Sequence, residues 1–220
     1  MQLIDLSQEI YDGQQSHFRV TVRDFVTYAD TASRQQPPAE GYAAKLLMFA
    51  DHTSTHVDAP SHFWPGRRPI DELPLDAFWG EAIVVDCSHS AEDVRPLDVE
   101  TFRRALATDG HTLRRGDIVL VQLMREGQDV YCGFDAELSQ FLVDGGVKLV
   151  GVDRGTPDCP HLKDKPAHVI LLRNDVLIVE GLRNLDALKG RRFTFLGLPL
   201  KIRGGTGSPI RAVAMVDSPS

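Results

Sequence analysis

Short apolar runs, each closed by Gly, Pro or a charged residue, set the frame for this chain. AAKLLMFA, AIVVDCS, GDIVLVQLM, KLVGVD, VLIVEG, RRFTFLGLPL and IRAVAMV follow one another along the sequence and are rich in β-branched residues. Runs of this length and composition form strands. FRVTVRDFVTY also reads as a strand and alternates apolar with polar residues, as a one-sided sheet does. Helical patterns interleave. VETFRRALA follows Asp98, and AELSQFLVDGG follows Asp135 and ends on a Gly pair, which supplies start and stop signals for two helices. PAHVILLRN reads as a short helix opened by Pro166. Many strands and few helices predict an α/β fold, with mixed sheets packed together and flanking helices. The 220 residues are expected to form one domain over 1–220.

Bulk composition narrows the partners. A formal charge of -7 gives no electrostatic reason to expect nucleic acid. No apolar stretch approaches the ~18 residues of a membrane span, and MQLIDLSQEIYDG lacks the basic start and apolar run of a signal peptide. Cys87, Cys132 and Cys159 are far apart and form no C-x-x-C spacing, which fits reduced thiols. The expectation is a cytoplasmic protein with a small-molecule substrate, no nucleic acid and no membrane. The polar, Pro-rich Thr31–Gly41 stretch reads as an exposed loop, and the end of the chain as a frayed tail.

HTSTHVDAPSH carries the chemistry. It places His52, His56, Asp58 and His62 within eleven residues of a chain that has 8 histidines. All separations are even, so a straight strand would point the four side chains the same way. It would also hold His52 and His56 ~13 Å apart, whereas ligands of one ion must converge to ~2.0–2.1 Å from it. A bend near Ser54 is therefore expected, and Pro60 argues against a helix here. Imidazole and carboxylate without thiolate suit Zn²⁺ or Mn²⁺. On spacing alone, chance pairing of histidines is an equal alternative.

The segment resembles the H-x-G-T-H-x-D-x-P-x-H signature of the cyclase family, which includes bacterial kynurenine formamidases and isatin hydrolases. GVD at 151–153, PAHVILLRNDVLIVEGLRNL and the closing LPLKIRGGTGSPIRAVA agree in type and order. The resemblance implies a swivelling β/β/α domain and a site holding one or two Zn²⁺ or Mn²⁺ ions. His52, His56 and Asp58 would hold the first ion. Asp58, His168 and Glu180 would hold the second, and His62 would donate and accept the proton. It further implies an arylformamidase-like hydrolase that uses metal-activated water on a formamide or small cyclic amide, in a homo-oligomer (dimer or tetramer).

Several readings stay open. The same ions would serve an intramolecular cyclase or a lactone hydrolase, and a non-catalytic metal-binding protein would keep the ligands without needing His62. His168 also fits a satisfied core histidine, Trp64 either walls a pocket or packs, and Asp153 and Asp158 either support ligands or form turns. His17, His89, His111 and His161 read as structural or exposed. Two departures matter. Ser54 replaces the family glycine at the expected bend, and DGQQSHFRV, with His17 or Phe18, replaces a Pro- and Trp-bearing segment that packs aromatic substrates.

Overall fold

A computed structural model describes residues 1–14, 19–32, 40–90, 95–124 and 133–217. His17, Phe18, Cys132, most of the Pro-rich stretch and the last three residues lie outside these. In chain order the regular elements are β1 (Gln2–Asp5), β2 (Thr21–Val26), α1 (Tyr28–Thr31), β3 (Ala44–Met48), β4 (His56–Asp58) and β5 (Trp79–Asp86). Then come α2 (Val99–Thr108), β6 (Ile118–Gln122), α3 (Ala136–Asp144), β7 (Leu149–Val152), α4 (Pro166–Arg173) and β8 (Leu177–Glu180). The chain closes through β9 (Phe193–Leu196), β10 (Gly207–Pro209) and β11 (Val213–Val216).

Nine strands form one sheet in the order β1-β11-β9-β5-β6-β7-β8-β4-β10. β5 to β8 are parallel to one another, and the flanking strands run antiparallel. Helical crossovers join the parallel strands, as that connectivity requires. The two ends of the sheet curl towards each other: just past β1, the Gln8 amide donates to Thr55 Oγ1 beside β4 at 2.8 Å, and Leu6 O accepts from the Arg183 amide beyond β8 at 3.0 Å. The packed sheets expected from sequence are thus halves of one curled sheet.

Residue alternation divides the core. Ala82, Val84, Ile118, Leu120, Val179 and Phe195 point into the concave side. Ile83, Val85, Val119, Val121, Val150 and Ile178 point to the other side, where α2, α3 and α4 cover them. The parallel strands are buried on both faces, which explains their unbroken apolar runs. Asp98 and Asp135 cap α2 and α3 by accepting from the Thr101 and Leu138 amides, each at 2.7 Å, where a capping side chain satisfies an orphan donor.

β2 and β3 stand apart as a two-stranded antiparallel ribbon. Here the one-sided burial expected of the alternating stretch does not occur. Phe25 is 71% exposed, and every residue of β3 is exposed. The ribbon lies outside the main sheet, and among the described residues its exposed apolar side chains join neither core cluster.

Candidate metal centre

β4 and β8 build the floor of the site. Their antiparallel register sets His56 opposite Glu180 and Asp58 opposite Ile178. Opposed residues share a face, as do residues two apart on one strand. His56, Asp58 and Glu180 therefore project to the helix-covered side, while Val57 and Val179 enter the concave core. α4 lies over this floor. Its buried face carries His168, Leu171 and Leu172, spaced three and four apart, so one turn of helix lowers the His168 ring onto the carboxylates.

The bend expected at Ser54 is present, with φ at +60°. A serine there costs conformational energy that glycine would not. Two contacts hold it: Ser54 Oγ donates to Glu9 O at 3.0 Å, and Ser54 O accepts from His56 Nδ1 at 2.9 Å. Gly181 makes room for that carbonyl, since a Cβ at Gly181 would lie 2.8 Å from Ser54 O.

Each ligand-candidate imidazole has one nitrogen engaged on its outer side. His56 Nδ1 donates to Ser54 O. His52 Nε2 lies 2.8 Å from Thr206 Oγ1, whose hydroxyl donates to Asp51 Oδ2 at 3.0 Å, so the ring is the donor to Thr206. His168 Nδ1 bonds Asp158 Oδ2, and Asp158 Oδ1 accepts from the Ala167 amide at 2.7 Å. These outer bonds assign the tautomers and aim the remaining nitrogens inwards, the arrangement that orients metal-binding histidines.

The inner distances are informative. His56 Nε2 lies 3.4 Å from both Asp58 Oδ1 and Glu180 Oε2. His168 Nε2 lies 3.4 Å from Asp58 Oδ2 and 3.2 Å from Glu180 Oε1. Two donors held at ~2.1 Å by one tetrahedral ion stand about 3.4 Å apart. Asp58 Oδ2 and Glu180 Oε1 are buried without a hydrogen-bond partner among the described residues, a costly state that a cation relieves. Ligand atoms of His52, His56 and Asp58 lie within 4.8 Å of one another, as do those of Asp58, His62 and His168. The donor set fits one or two divalent cations. Moreover, Glu180 presents one oxygen towards His56 and the other towards His168, as Asp58 does, so each carboxylate would offer a ligand atom beside either histidine.

Protonation follows the same geometry. Burial opposes ionisation of Asp58, but the adjacent His168 ring and the hydrogen bond from His52 outweigh it and hold the carboxyl below the usual range. Burial opposes charge on His168 too, yet its bond to Asp158 and the nearby Asp58 and Glu180 carboxylates push it up to about 11. Burial raises Glu180, opposed by the nearby His168 ring and assisted by repulsion from Asp58. Without metal, a proton on His168 thus stands between the carboxylates, in the position a cation would take over.

His62 sits at the cavity edge of the same cluster. Its ring stacks on His52, with centroids 3.9 Å apart, and burial lowers its pKa to about 4. Phe63 stacks on His168 at 4.6 Å. A cavity of ≈ 820 Å³ opens beside these rings, and His52, His56, His62, His168 and Glu180 line it. Trp64 does not line it; its Nε1 donates to Val169 O at 3.0 Å, so it packs. Asp158 supports His168, whereas Asp153 accepts from the Leu123 and Met124 amides at 2.8 and 3.0 Å.

Sequence reading missed Phe63, Asp51, Thr206 and Gly207. A Cβ at Gly207 would lie 2.6 Å from His52 Cε1, so this glycine is the room in which the His52 ring sits. The only sequence signal for the last two was their membership of the closing GGTGSP block.

Comparison with known proteins identifies the family. The family described as putative cyclase matches residues 4–159. Kynurenine formamidase from Salinibacter ruber (strain DSM 13855 / M31) is 33% identical over 224 residues, 97% of each chain. Isatin hydrolase A from Labrenzia aggregata, bound to benzyl benzoate, superposes with a TM-score of 0.81 at 25% identity, covering 98% of this chain and 93% of that one. An isatin hydrolase bound to the product analogue thioisatinate shares the fold, with a TM-score of 0.80 at 22% identity, over 98% and 92%. With its histidine-carboxylate centre set between β4, β8 and α4, the chain belongs to the cyclase family.

Proposed function

We propose that this protein is a metal-dependent hydrolase of non-peptide C–N bonds, acting on an N-formyl aryl amine or a small cyclic amide. The observation that carries the reading is the set of His56 and His168 nitrogen–oxygen distances of 3.2–3.4 Å around Asp58 and Glu180, with His52 Nδ1 closer still, 2.7 Å from Asp58 Oδ1. The 33% identical kynurenine formamidase supports the reaction class. His52, His56, Asp58, His168 and Glu180 would hold one or two divalent ions, Zn²⁺ or Mn²⁺. When bound, such an ion polarises a carbonyl and lowers the pKa of water towards neutrality.

The chain's own residues supply the rest. His62 faces the cavity beside the ligand cluster, where its imidazole, kept neutral by burial, can accept a proton from attacking water and pass it to a leaving nitrogen. Phe63 and the His52 ring hold the walls against which a planar amide can lie. The cavity has the volume of ordinary small-molecule sites, roughly 300–1,000 Å³. The test is hydrolysis of N-formylkynurenine and isatin, followed by product mass, before and after chelation. Gain of one water, lost on chelation and restored by Zn²⁺ or Mn²⁺, supports the reading. Full activity in exhaustively demetallated protein overturns it, and a product lacking the added water indicates cyclisation.

Within the same proposal, the protein is a cytoplasmic homo-oligomer in which a second copy covers the β2–β3 ribbon. Phe25, Tyr28 and Tyr42 are 71%, 62% and 47% exposed, and Leu46, Leu47 and Met48 are 53–56% exposed. An isolated two-stranded ribbon is marginal in water, so it needs a partner that is always present, which another copy of the chain is. Aromatic side chains bury about 150–250 Å² each when covered. The patch therefore approaches the roughly 800 Å² per partner of a stable interface.

A further inference from the structure

The cavity that holds the candidate metal centre has a second chemical side. It opens at the carboxyl ends of β6, β7 and β8, where Met124, Asp153 with Arg154, and Glu180 with Arg183 leave the sheet. Ligands of open α/β sheets bind at this end. Arg154, Lys165 and Arg183 all line the cavity. Its acidic lining residues are Asp153, which accepts two backbone amides, and Glu180, which faces His56 and His168. Three cations at one opening are not a reflection of composition in a chain of formal charge -7.

Two of these cations are set in place without a counter-charge. Arg183 Nη1 donates to Asp153 O at 3.0 Å and to Leu182 O at 2.9 Å. Backbone carbonyls orient a guanidinium but do not neutralise it. Among the described residues no carboxylate lies within ion-pair distance of Arg183 or of Lys165. Lys165 is held at φ +51° at the N-cap of α4, three residues before His168. A lysine in left-handed backbone is unfavourable, and strain of this kind collects where a side chain must be aimed.

We propose that Arg183 and Lys165, with Arg154, form a subsite for a carboxylate carried by the substrate, so that the preferred amides are anionic. This rests on the amide-hydrolase reading, since the same cavity would hold the scissile bond against the metal centre and the anion against these side chains. Charge-assisted bonds from arginine and lysine are the strong kind, and loss of both is expected to change selectivity by about tenfold or more.

The experiment compares formanilide with its ortho-, meta- and para-carboxy derivatives in wild type and in the Lys165→Gln/Arg183→Gln double variant. Wild type is expected to favour one carboxylated isomer in kcat/KM. The ratio to formanilide should fall at least tenfold in the double variant, and benzoate binding measured by calorimetry should weaken equally relative to benzamide. An unchanged ratio, or no carboxylate preference in wild type, overturns the proposal. If none of the amides is hydrolysed, the amidase reading fails while the benzoate measurement still decides the subsite. If the double variant does not fold, ionic strength decides. Benzoate binding to wild type that weakens with salt supports the subsite, and salt-independent binding overturns it.

Discussion

Replacing Asp158 with Asn tests whether His168 is aimed by its outer partner. Asp158 is fully buried and accepts two donors, His168 Nδ1–H on one oxygen and the Ala167 amide on the other. Asparagine keeps one acceptor and turns an NH₂ group towards the second donor. If the NH₂ group faces the ring, Nδ1 must lose its proton to Nε2, and the nitrogen that points at Asp58 and Glu180 loses its lone pair. If it faces the helix, the first turn of α4 loses its cap. A hydrogen bond to a charged group contributes about 1.5–3 kcal/mol. The expected loss is therefore about ten- to hundredfold in metal affinity, the range typical for such supporting partners. Chelator competition reads the affinity, and thermal unfolding of the metal-free protein reads the cap. A variant that binds metal within twofold of wild type and unfolds at the same temperature would refute the reasoning.

Three further outcomes are expected. Gly207→Ala sets a methyl group 2.6 Å from His52 Cε1 and 2.8 Å from Val57 O. Overpacking of this kind costs about 1–3 kcal/mol, so both unfolding temperature and metal affinity should fall; a wild-type profile would contradict the placement of His52. His62→Ala should keep its metal content but lose turnover by ~10²–10⁴-fold, measured under saturating metal, and near-full activity would remove His62 from the proton path. Leu47→Asp with Met48→Asp should shift the molecular mass in solution, measured by light scattering, from oligomer to monomer. An unchanged mass would place the interface elsewhere.

Much of the scaffold was legible because its signals are local. The parallel strands announce themselves as apolar runs, and Asp98 and Asp135 mark helix starts to the residue. The His52–His62 segment was legible in chemistry and even in its bend, since His52 and His56, four apart, cannot converge along a straight strand. What escaped depends on long-range pairing. β4 and β10 are three residues each and pair across most of the chain, a length with no periodicity to read. Nothing in spacing links Asp158 to His168, or Thr206 and Asp51 to His52, because those contacts form only after α4 and the closing segment dock. Glu180 could be suspected from an acid at the end of an apolar strand, but its approach to both His56 and His168 needed the β4–β8 register. The ribbon shows the opposite failure: FRVTVRDFVTY reads as one-sided, yet half of β2 and all of β3 are exposed, because a residue pattern cannot say which chain will cover it.

Elemental analysis of the protein after reconstitution and dialysis, alongside a His56→Ala/Glu180→Gln variant, bears most directly on the central claim. The account predicts one to two equivalents of Zn²⁺ or Mn²⁺ per wild-type chain and a loss of stoichiometric metal in the variant. A wild-type chain that retains neither ion, or a variant that retains as much as wild type, would contradict it.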